Sequence, residues 1–281
     1  MSQNPVNRVV RPIEQGDWNL AYLFPHEIAE ARQRIGLALL PLAPVEWHGP
    51  HLVMGCDPLL AHAFARRLAA VLKCPYYPPV FLGTERERPP DSLEAIGFER
   101  SLYIEGMDFP KNSVASAYIR EEVFALVVRN LLDILLNRMH FPKVVIVNGH
   151  GADNQRGTLD RMCREFNGLS SSGERVRWIF AGFAHTEGGS IGHATSDETS
   201  ILEASWPGSV DLSRLPSSGP LKNTDFAVVD GETFENNPTP DHTVRPNQDP
   251  RYHTDPVKGE EQLARAAELE LAEIRKWLDA G

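Results

Sequence analysis

Imidazole and carboxylate side chains lie close together in the segment 46–51 (EWHGPH), and Asp57 follows soon after it. Glu46 and His48 are two residues apart, so in an extended segment their side chains project to the same side. A carboxylate has two oxygens and can bridge two cations about 3.5–4 Å apart, the spacing of two-metal hydrolytic sites. Mixed imidazole and carboxylate ligands suit zinc, manganese or iron. The segment therefore predicts a centre for one or two divalent ions, with Glu46, His48 and Asp57 as ligands.

Two further polar segments favour the same interpretation. His150 lies in 147–151 (VNGHG), directly after an apolar run, and its flanking glycines let the backbone approach a ligand closely. The segment 192–200 (GHATSDETS) contributes His193 and Glu198. Each segment also has a simpler interpretation. The first could be a surface loop with a capping Asp57, the second a turn at the end of a strand, and the third a helix N-terminus, which favours acidic residues. The last of these leaves His193 unexplained.

The elements that must position these residues follow from the hydrophobic pattern. Short apolar runs predict buried strands at 36–43, 76–82, 143–147 and 176–183. Helices are predicted at 25–34, 57–73, 114–138, 155–166, from about 197, and at 256–279. Asp57 is expected to cap the second helix, with Pro58 at its first position. This alternation predicts a single-domain α/β fold, a mostly parallel β-sheet flanked by helices on both faces.

The predicted topology explains how distant segments would form one site. The polar segments follow the first, third and fourth predicted strands. In an open parallel sheet the carboxyl ends of the strands share one edge, and ligands bind there. We therefore expect Glu46, His48, Asp57 and His150 to surround the same ions.

Composition excludes several other classes of protein. The 281 residues are 42% hydrophobic and carry a formal charge of -10, without a long basic cluster that would favour nucleic acid or an anionic membrane. The three cysteines form no C-x-x-C pair, which argues against a disulfide framework. The N-terminus has no apolar signal core, and no apolar stretch approaches ~18 residues. We predict a soluble cytoplasmic protein.

Together, the polar motifs resemble those of the creatininase family. The resemblance rests on the run 46–52, its spacing to Asp57, the N-G-H-G step at His150 and the H-x-x-x-x-E-T-S of 193–200, in the family's order. It implies that Glu46, Asp57 and His150 hold one ion, and that His48 and Asp57 hold a second, with Asp57 bridging. It further implies that Glu198 is a carboxylate beside the metals and that His193 handles protons.

Departures from the family pattern indicate a member other than the creatinine-hydrolysing enzyme. Where that enzyme has a glutamate ligand, this chain has Ala152, which leaves the second ion short of a donor and lets Glu198 enter the coordination shell. Asp153 stands where many relatives have asparagine. The segment 108–112 (DFPKN) also differs from the family's, which changes the predicted substrate wall.

The resemblance implies a metal-dependent hydrolase that opens a cyclic amide or formamide-type C–N bond of a small molecule. A metal-activated water would attack the carbonyl, with Glu198 and His193 as catalytic proton carriers. One alternative is hydrolytic C–C ring opening of an inositol-derived cyclic polyol diketone. Ammonium, amine or formate as product would indicate the first reaction, and an open-chain keto acid the second. A further alternative is a metal-dependent binding module without catalysis.

Other expectations concern the surroundings of the centre. Trp47, Asp108, His185 and Glu187 are predicted to contact substrate, and His51 to orient a metal ligand through its second ring nitrogen. The loop 84–114 is expected to serve substrate binding or oligomer contacts, and 207–281 to form a C-terminal loop-plus-helix segment. Relatives are commonly hexamers, which implies a homo-oligomer here.

The metal prediction has a direct test. Purified protein should hold near-stoichiometric zinc, manganese or iron, because the ligand set suits these ions. Substitution His150→Ala or Asp57→Ala should release the metal, as measured by elemental analysis. Unchanged metal content in both variants would contradict the assignment.

Overall fold

The computed structural model describes residues 11–86, 89–95, 97–102, 106, 108, 114–169, 173–181, 192–224, 227–229 and 246–280. Its α-helices are α1 (Pro25–Ile35), α2 (Cys56–Leu72), α3 (Pro90–Ala95), α4 (Glu121–Asp133), α5 (Asp153–Gly168), α6 (Ser196–Ser205), α7 (Pro250–His253) and α8 (Pro256–Asp279). Its strands are β1 (Leu37–Leu42), β2 (Lys143–Asn148), β3 (Val176–Phe180), β4 (Lys222–Thr224) and β5 (Ala227–Val229). A π-helical turn, Ile134–Arg138, follows α4, and short 3-10 turns are Pro12–Gln15, Leu20–Tyr22, Leu212–Arg214 and Pro246–Gln248.

The central sheet is parallel, with strand order β1-β2-β3. Its register pairs Leu42 with Asn148 and Asn148 with Phe180, so the last residues of the three strands lie in one row. The chain therefore leaves all three strands at the same edge of the sheet. A separate antiparallel hairpin is formed by β4 and β5.

The sheet has a hydrophobic core on each face, because alternate residues of a strand point to opposite sides. Leu37 and Leu39 pack with α2, α6 and α8, while Ala38 and Leu40 pack with α4 and α5. The predicted α/β fold, a parallel sheet between helical layers, is confirmed. No helix in the described ranges is both long and apolar enough to cross a lipid bilayer.

The strand predicted at 76–82 does not form a regular ladder, and that prediction was wrong. Only single bridges join this segment to β1, Leu39 with Tyr76 and Leu42 with Val80. Pro78 and Pro79 lie between these bridges and have no N–H to donate to a neighbouring strand. The segment therefore follows the edge of β1 with interrupted hydrogen bonding.

Two predicted helix starts also differ from the structure. Helix α2 begins at Cys56 with Gly55 as its N-cap, so Asp57 lies in the first turn and is not the cap. The helix predicted from 114 begins only at Glu121. The preceding residues instead bond to neighbouring loops: Ala117 N–H donates to the Val45 carbonyl at 2.7 Å. Asp255 is the N-cap of the last helix, and its side chain accepts from two of the first backbone N–H groups of α8.

Gly149 allows the end of β2 to contact the start of α2. A Cβ atom at this position would lie 2.3 Å from the carbonyl oxygen of Asp57, far inside van der Waals contact. The side chains of Asp57 and His150 therefore lie near each other only because residue 149 has no side chain.

We expect Gly149→Ala to destabilise the fold by about 1–3 kcal/mol, because the added methyl forces two backbone segments apart. The matched control is Gly157→Ala in α5, where the nearest atom to a new Cβ is the end of the Arg161 side chain at 4.0 Å. That control should be neutral or stabilise by about 0.5–1 kcal/mol, as expected for Gly to Ala in a helix. Urea unfolding measures both, and equal stability of the two variants would contradict the role assigned to Gly149.

Candidate metal centre

Donor side chains from four parts of the fold meet at the carboxyl edge of the sheet. The loop after β1 supplies Glu46 and His48, α2 supplies Asp57, the end of β2 supplies His150, and the start of α6 supplies Glu198. Each of these residues is at most 4% exposed. The sequence prediction that distant segments converge at one sheet edge agrees with this geometry.

Asp57 lies between two histidines and divides its oxygens between them. Its Oδ1 atom is 3.0 Å from His48 Nε2, and its Oδ2 atom is 2.8 Å from His150 Nδ1. A carboxylate held in this way can contribute one oxygen to each of two neighbouring ions.

Glu46 has one anchored oxygen and one oxygen without a hydrogen bond. The Tyr118 hydroxyl donates to Oε1. The buried Oε2 atom accepts no hydrogen bond from the described residues, yet it lies 3.2 Å from His150 Nδ1 and 3.6 Å from His48 Nε2. A buried carboxylate oxygen is costly to leave unpaired, so this atom fits the place of a metal ligand.

The remaining ring nitrogens of the histidines are held by other groups. His48 Nδ1 lies 3.1 Å from the Glu46 carbonyl oxygen, and His193 Nε2 lies 2.7 Å from the Trp47 carbonyl oxygen. A neutral ring that donates to a carbonyl has its lone pair on the opposite nitrogen. In the neutral rings the lone pairs are therefore on His48 Nε2 and His193 Nδ1, and Nδ1 of His193 lies 4.0 Å from Glu46 Oε2.

Glu198 is fixed by the loop that precedes α6. The backbone N–H of Ala194 donates to its Oε2 atom, and Ala194 has a left-handed conformation with φ of 56°. The Oε1 atom is 3.7 Å from His48 Nε2. Ala152, the N-cap of α5, has no side chain that can bind a metal. Glu198 places a carboxylate beside His48.

The donors form overlapping groups whose ligand atoms lie within 4.8 Å of one another. The first cluster is Glu46, Asp57 and His150, and the second cluster is His48, Cys56, Asp57 and Glu198. A third group, Glu46, His48 and His193, links them. Nitrogen and carboxylate oxygen predominate, a set that suits zinc, manganese or iron, so these residues fit one ion in each cluster with Asp57 shared.

Electrostatics in the cluster favour protons on two histidines when no other cation is present. Burial by itself lowers the pKa of His48, but the surrounding carboxylates, Asp57 foremost, outweigh it and raise the pKa to about 10. For His150, burial acts the same way, and Glu46 and Asp57 raise its pKa well above the usual value. Conversely, the imidazoles overcome the burial of Glu46 and Asp57 and lower the pKa of both carboxyls.

His193 and Glu198 are shifted toward their neutral forms. Burial, together with His48 whose ring stacks at 4.0 Å, lowers the pKa of His193 to about 4. Burial raises the pKa of Glu198 to about 7, with a contribution from Asp57 and despite the opposing effect of His48. A neutral imidazole and a carboxyl that titrates near pH 7 can exchange protons with a reacting group.

The predicted substrate contacts Trp47 and Asp108 have partners within the protein, and two other predicted contacts fall outside the described residues. Trp47 is buried, and its backbone carbonyl holds His193. Asp108 accepts a hydrogen bond from the Ser116 backbone at 2.8 Å and so supports the segment before α4. His51 Nε2 lies 3.2 Å from the Thr199 hydroxyl, beside Glu198. His185 and Glu187 fall outside the described residues.

Three residues of the site were not predicted from the sequence. Tyr118 anchors Glu46, and Glu85 places Oε2 3.4 Å from Nε2 of His150. Cys56 belongs to the second cluster. Of these three residues, only Cys56 could have been identified from the sequence, because it directly precedes the predicted ligand Asp57.

A divalent ion that enters the centre must displace the protons of His48 and His150, because only unprotonated nitrogen binds metal. We expect zinc binding at pH 7 to release at least the two protons of these histidines, and affinity to fall as pH decreases because protons then compete more strongly. Calorimetry in buffers of different ionisation enthalpy measures the release. His48→Ala should reduce it by about one proton, and binding without proton release would contradict this account.

Comparison with known proteins agrees with the site. The family model for creatininase, described as creatinine amidohydrolase, matches residues 21–273. No curated protein sequence matches the chain. The solved structure of a creatinine amidohydrolase (creatininase) is similar with a TM-score of 0.65 at 20% identity, over 93% of this chain and 98% of the other. A manganese creatininase matches with a TM-score of 0.64 at 20% identity, over 93% of this chain and 99% of its own.

A more distant structure has the same fold. It is a protein from Bacteroides fragilis NCTC 9343, provisionally described as a creatinine amidohydrolase. It matches with a TM-score of 0.60 at 16% identity, over 94% of this chain and 97% of its own. The low identities separate this chain from creatininase itself, while the family model covers most of its length. The chain belongs to the creatininase family.

Proposed function

We propose that this protein is a metal-dependent hydrolase that opens a cyclic amide or formamide-type C–N bond of a small molecule. The observation that carries the proposal is the buried Oε2 atom of Glu46, which has no hydrogen bond among the described residues and lies beside His48 Nε2 and His150 Nδ1. A cation stabilises a buried carboxylate oxygen of this kind, and a mixed imidazole and carboxylate centre suits metal-assisted hydrolysis. The description of the relatives as creatinine amidohydrolases supports the amide class.

The ligand assignment follows the two clusters. In the first cluster Glu46, Asp57 and His150 would hold one ion, and in the second cluster His48, Asp57 and Glu198 would hold the other. An ion held there would supply a water with its pKa lowered to about 7 and a Lewis acid for the substrate carbonyl. Tyr118 keeps Glu46 in position, and Glu85 orients the ring of His150.

Proton transfer is assigned to Glu198 and His193. Glu198 is a buried carboxylate whose Oε1 atom lies 3.7 Å from His48 Nε2, so it is placed to accept the proton of the attacking water. His193 is anchored through Nε2 on the Trp47 carbonyl, so its lone pair lies on Nδ1, toward the centre. There it would pass to the leaving nitrogen the proton that Glu198 takes from the water, so that this nitrogen becomes a neutral amine as the C–N bond breaks.

The finer expectations stay predictions. They include substrate contact by Trp47 and Asp108, the loop 84–114 as an oligomer contact, a hexameric assembly and the cytoplasmic location. C–C cleavage of a cyclic diketone would use the same centre, and identification of the product separates it from amide hydrolysis.

We expect Glu198→Gln to lower kcat by roughly 100-fold, because an amide cannot accept the proton. The metal in the first cluster should remain, since Glu198 is not one of its ligands. The matched control is Glu203→Gln on the same helix, whose carboxylate accepts from the Gly208 backbone outside the centre. Activity toward a panel of cyclic amides and formamides, with metal content measured alongside, tests the proposal. Full activity of the first variant would contradict the role of Glu198, and metal-loaded wild type inactive on every amide would contradict the function.

A further inference from the structure

Cys56 brings a thiol to the second cluster. It is the first residue of α2, is fully buried, and directly precedes Asp57. Its Sγ atom and the donor atoms of His48, Asp57 and Glu198 all lie within 4.8 Å of one another. The proposed function uses the last three of these donors and leaves the thiol without a role.

A buried cysteine is most often a small apolar residue of the core, and Cys56 does belong to the hydrophobic core that contains α2. Cys74 provides the comparison, because it is equally buried in the same core. Within the described part of the chain, Cys74 belongs to no group of converging donors, whereas Cys56 does. Burial alone therefore does not account for the position of the Cys56 thiol.

The distances are compatible with coordination after a small adjustment. Zinc–sulfur bonds near 2.3 Å and zinc–nitrogen bonds near 2.0–2.1 Å place tetrahedral donors roughly 3.5 Å apart. In the structure the donor atoms of the second cluster lie up to 4.8 Å apart. A modest rotation of the side chains would bring them to about 3.5 Å from one another. The unpaired Glu46 Oε2 atom, 3.6 Å from His48 Nε2, independently indicates that a cation belongs beside this histidine.

The proposed function also places two demands on Glu198, as a ligand of the second ion and as the acceptor of a proton. A carboxylate that stays bound to a cation is a weak base. If another side chain completes the ligand set with His48 and Asp57, Glu198 is free to leave the ion and take the proton. Cys56 is the described side chain in the second cluster that can do this.

We propose that Cys56 is a protein ligand of the second ion and makes that position selective for zinc over manganese. On binding, the S–H bond breaks, a metal–sulfur bond forms, and the proton leaves to the buffer. Thiolate is a soft ligand that favours zinc, whereas carboxylate and water suit manganese. This inference rests on the proposed function only in requiring an ion in the second cluster.

Cobalt(II) is the probe that tests the inference, because its visible bands report binding and a near-ultraviolet sulfur-to-cobalt band reports a thiolate ligand. The full-length protein, stripped of metal, is titrated with cobalt(II). We expect both signals in the wild type and in the control Cys74→Ser. In Cys56→Ser we expect the visible bands without the sulfur band, and an affinity for zinc at the second position about tenfold lower, with little change for manganese.

The wild-type spectrum decides the matter even if a variant fails to fold. Visible bands without a sulfur band in the wild type would overturn the role of Cys56 and leave the metal-dependent hydrolase intact. A sulfur band that persists in Cys56→Ser would also overturn it, because another thiol would then be the ligand. If the wild type binds no cobalt(II), zinc or manganese, the proposed function itself fails.

Discussion

The site depends on the burial of the carboxylates of Glu46, Asp57 and Glu198 around the same imidazoles. Buried like charges repel strongly and have lost their hydration, so the arrangement is stable only with compensating partners. Glu46 and Glu198 each accept one hydrogen bond from the surrounding fold. The Tyr118 hydroxyl donates to Glu46, and the backbone N–H of Ala194 donates to Glu198. The oxygens that remain concentrate negative charge between the histidines. That charge is why the histidines bind protons tightly, and why a divalent cation competes for the same place.

The fold holds these groups against their mutual repulsion by rigid means. The three parallel strands end in one row at Leu42, Asn148 and Phe180, and a packed core lies on each face of the sheet. The Asn148 side chain bonds to both the N–H and the carbonyl of His150, which fixes the turn that presents the imidazole. Because Gly149 allows direct backbone contact with α2, Asp57 and His150 are held together by the packing of the end of β2 against the start of α2.

The chain shares the fold of a creatininase at about one-fifth sequence identity. A parallel sheet between helices needs apolar residues of suitable size at alternating positions, and many sequences meet that requirement. Metal preference depends instead on a few atoms. Ala152 offers no donor where the creatinine-hydrolysing relative is expected to have one, and Cys56 brings a soft one into the second cluster.

The sequence alone determined the fold class and the main donors. Glu46, His48, Asp57, His150 and Glu198 lie in short motifs, and the runs of apolar residues before most of them form β-strands because local periodicity reports burial. These signals are local, so they can be found in one segment at a time.

Only the tertiary structure decided which neighbours complete the site. Tyr118 contacts Glu46 because the neighbouring residues 117 and 45 form an antiparallel bridge. Glu85 is far from His150 in the sequence, and only the folded chain brings the two side chains together. The prolines at 78 and 79 prevent a regular strand where an apolar run predicts one, since the missing N–H groups matter only once a partner strand is present. A hydrogen bond between residues distant in the chain depends on how the segments pack, and no local pattern encodes that.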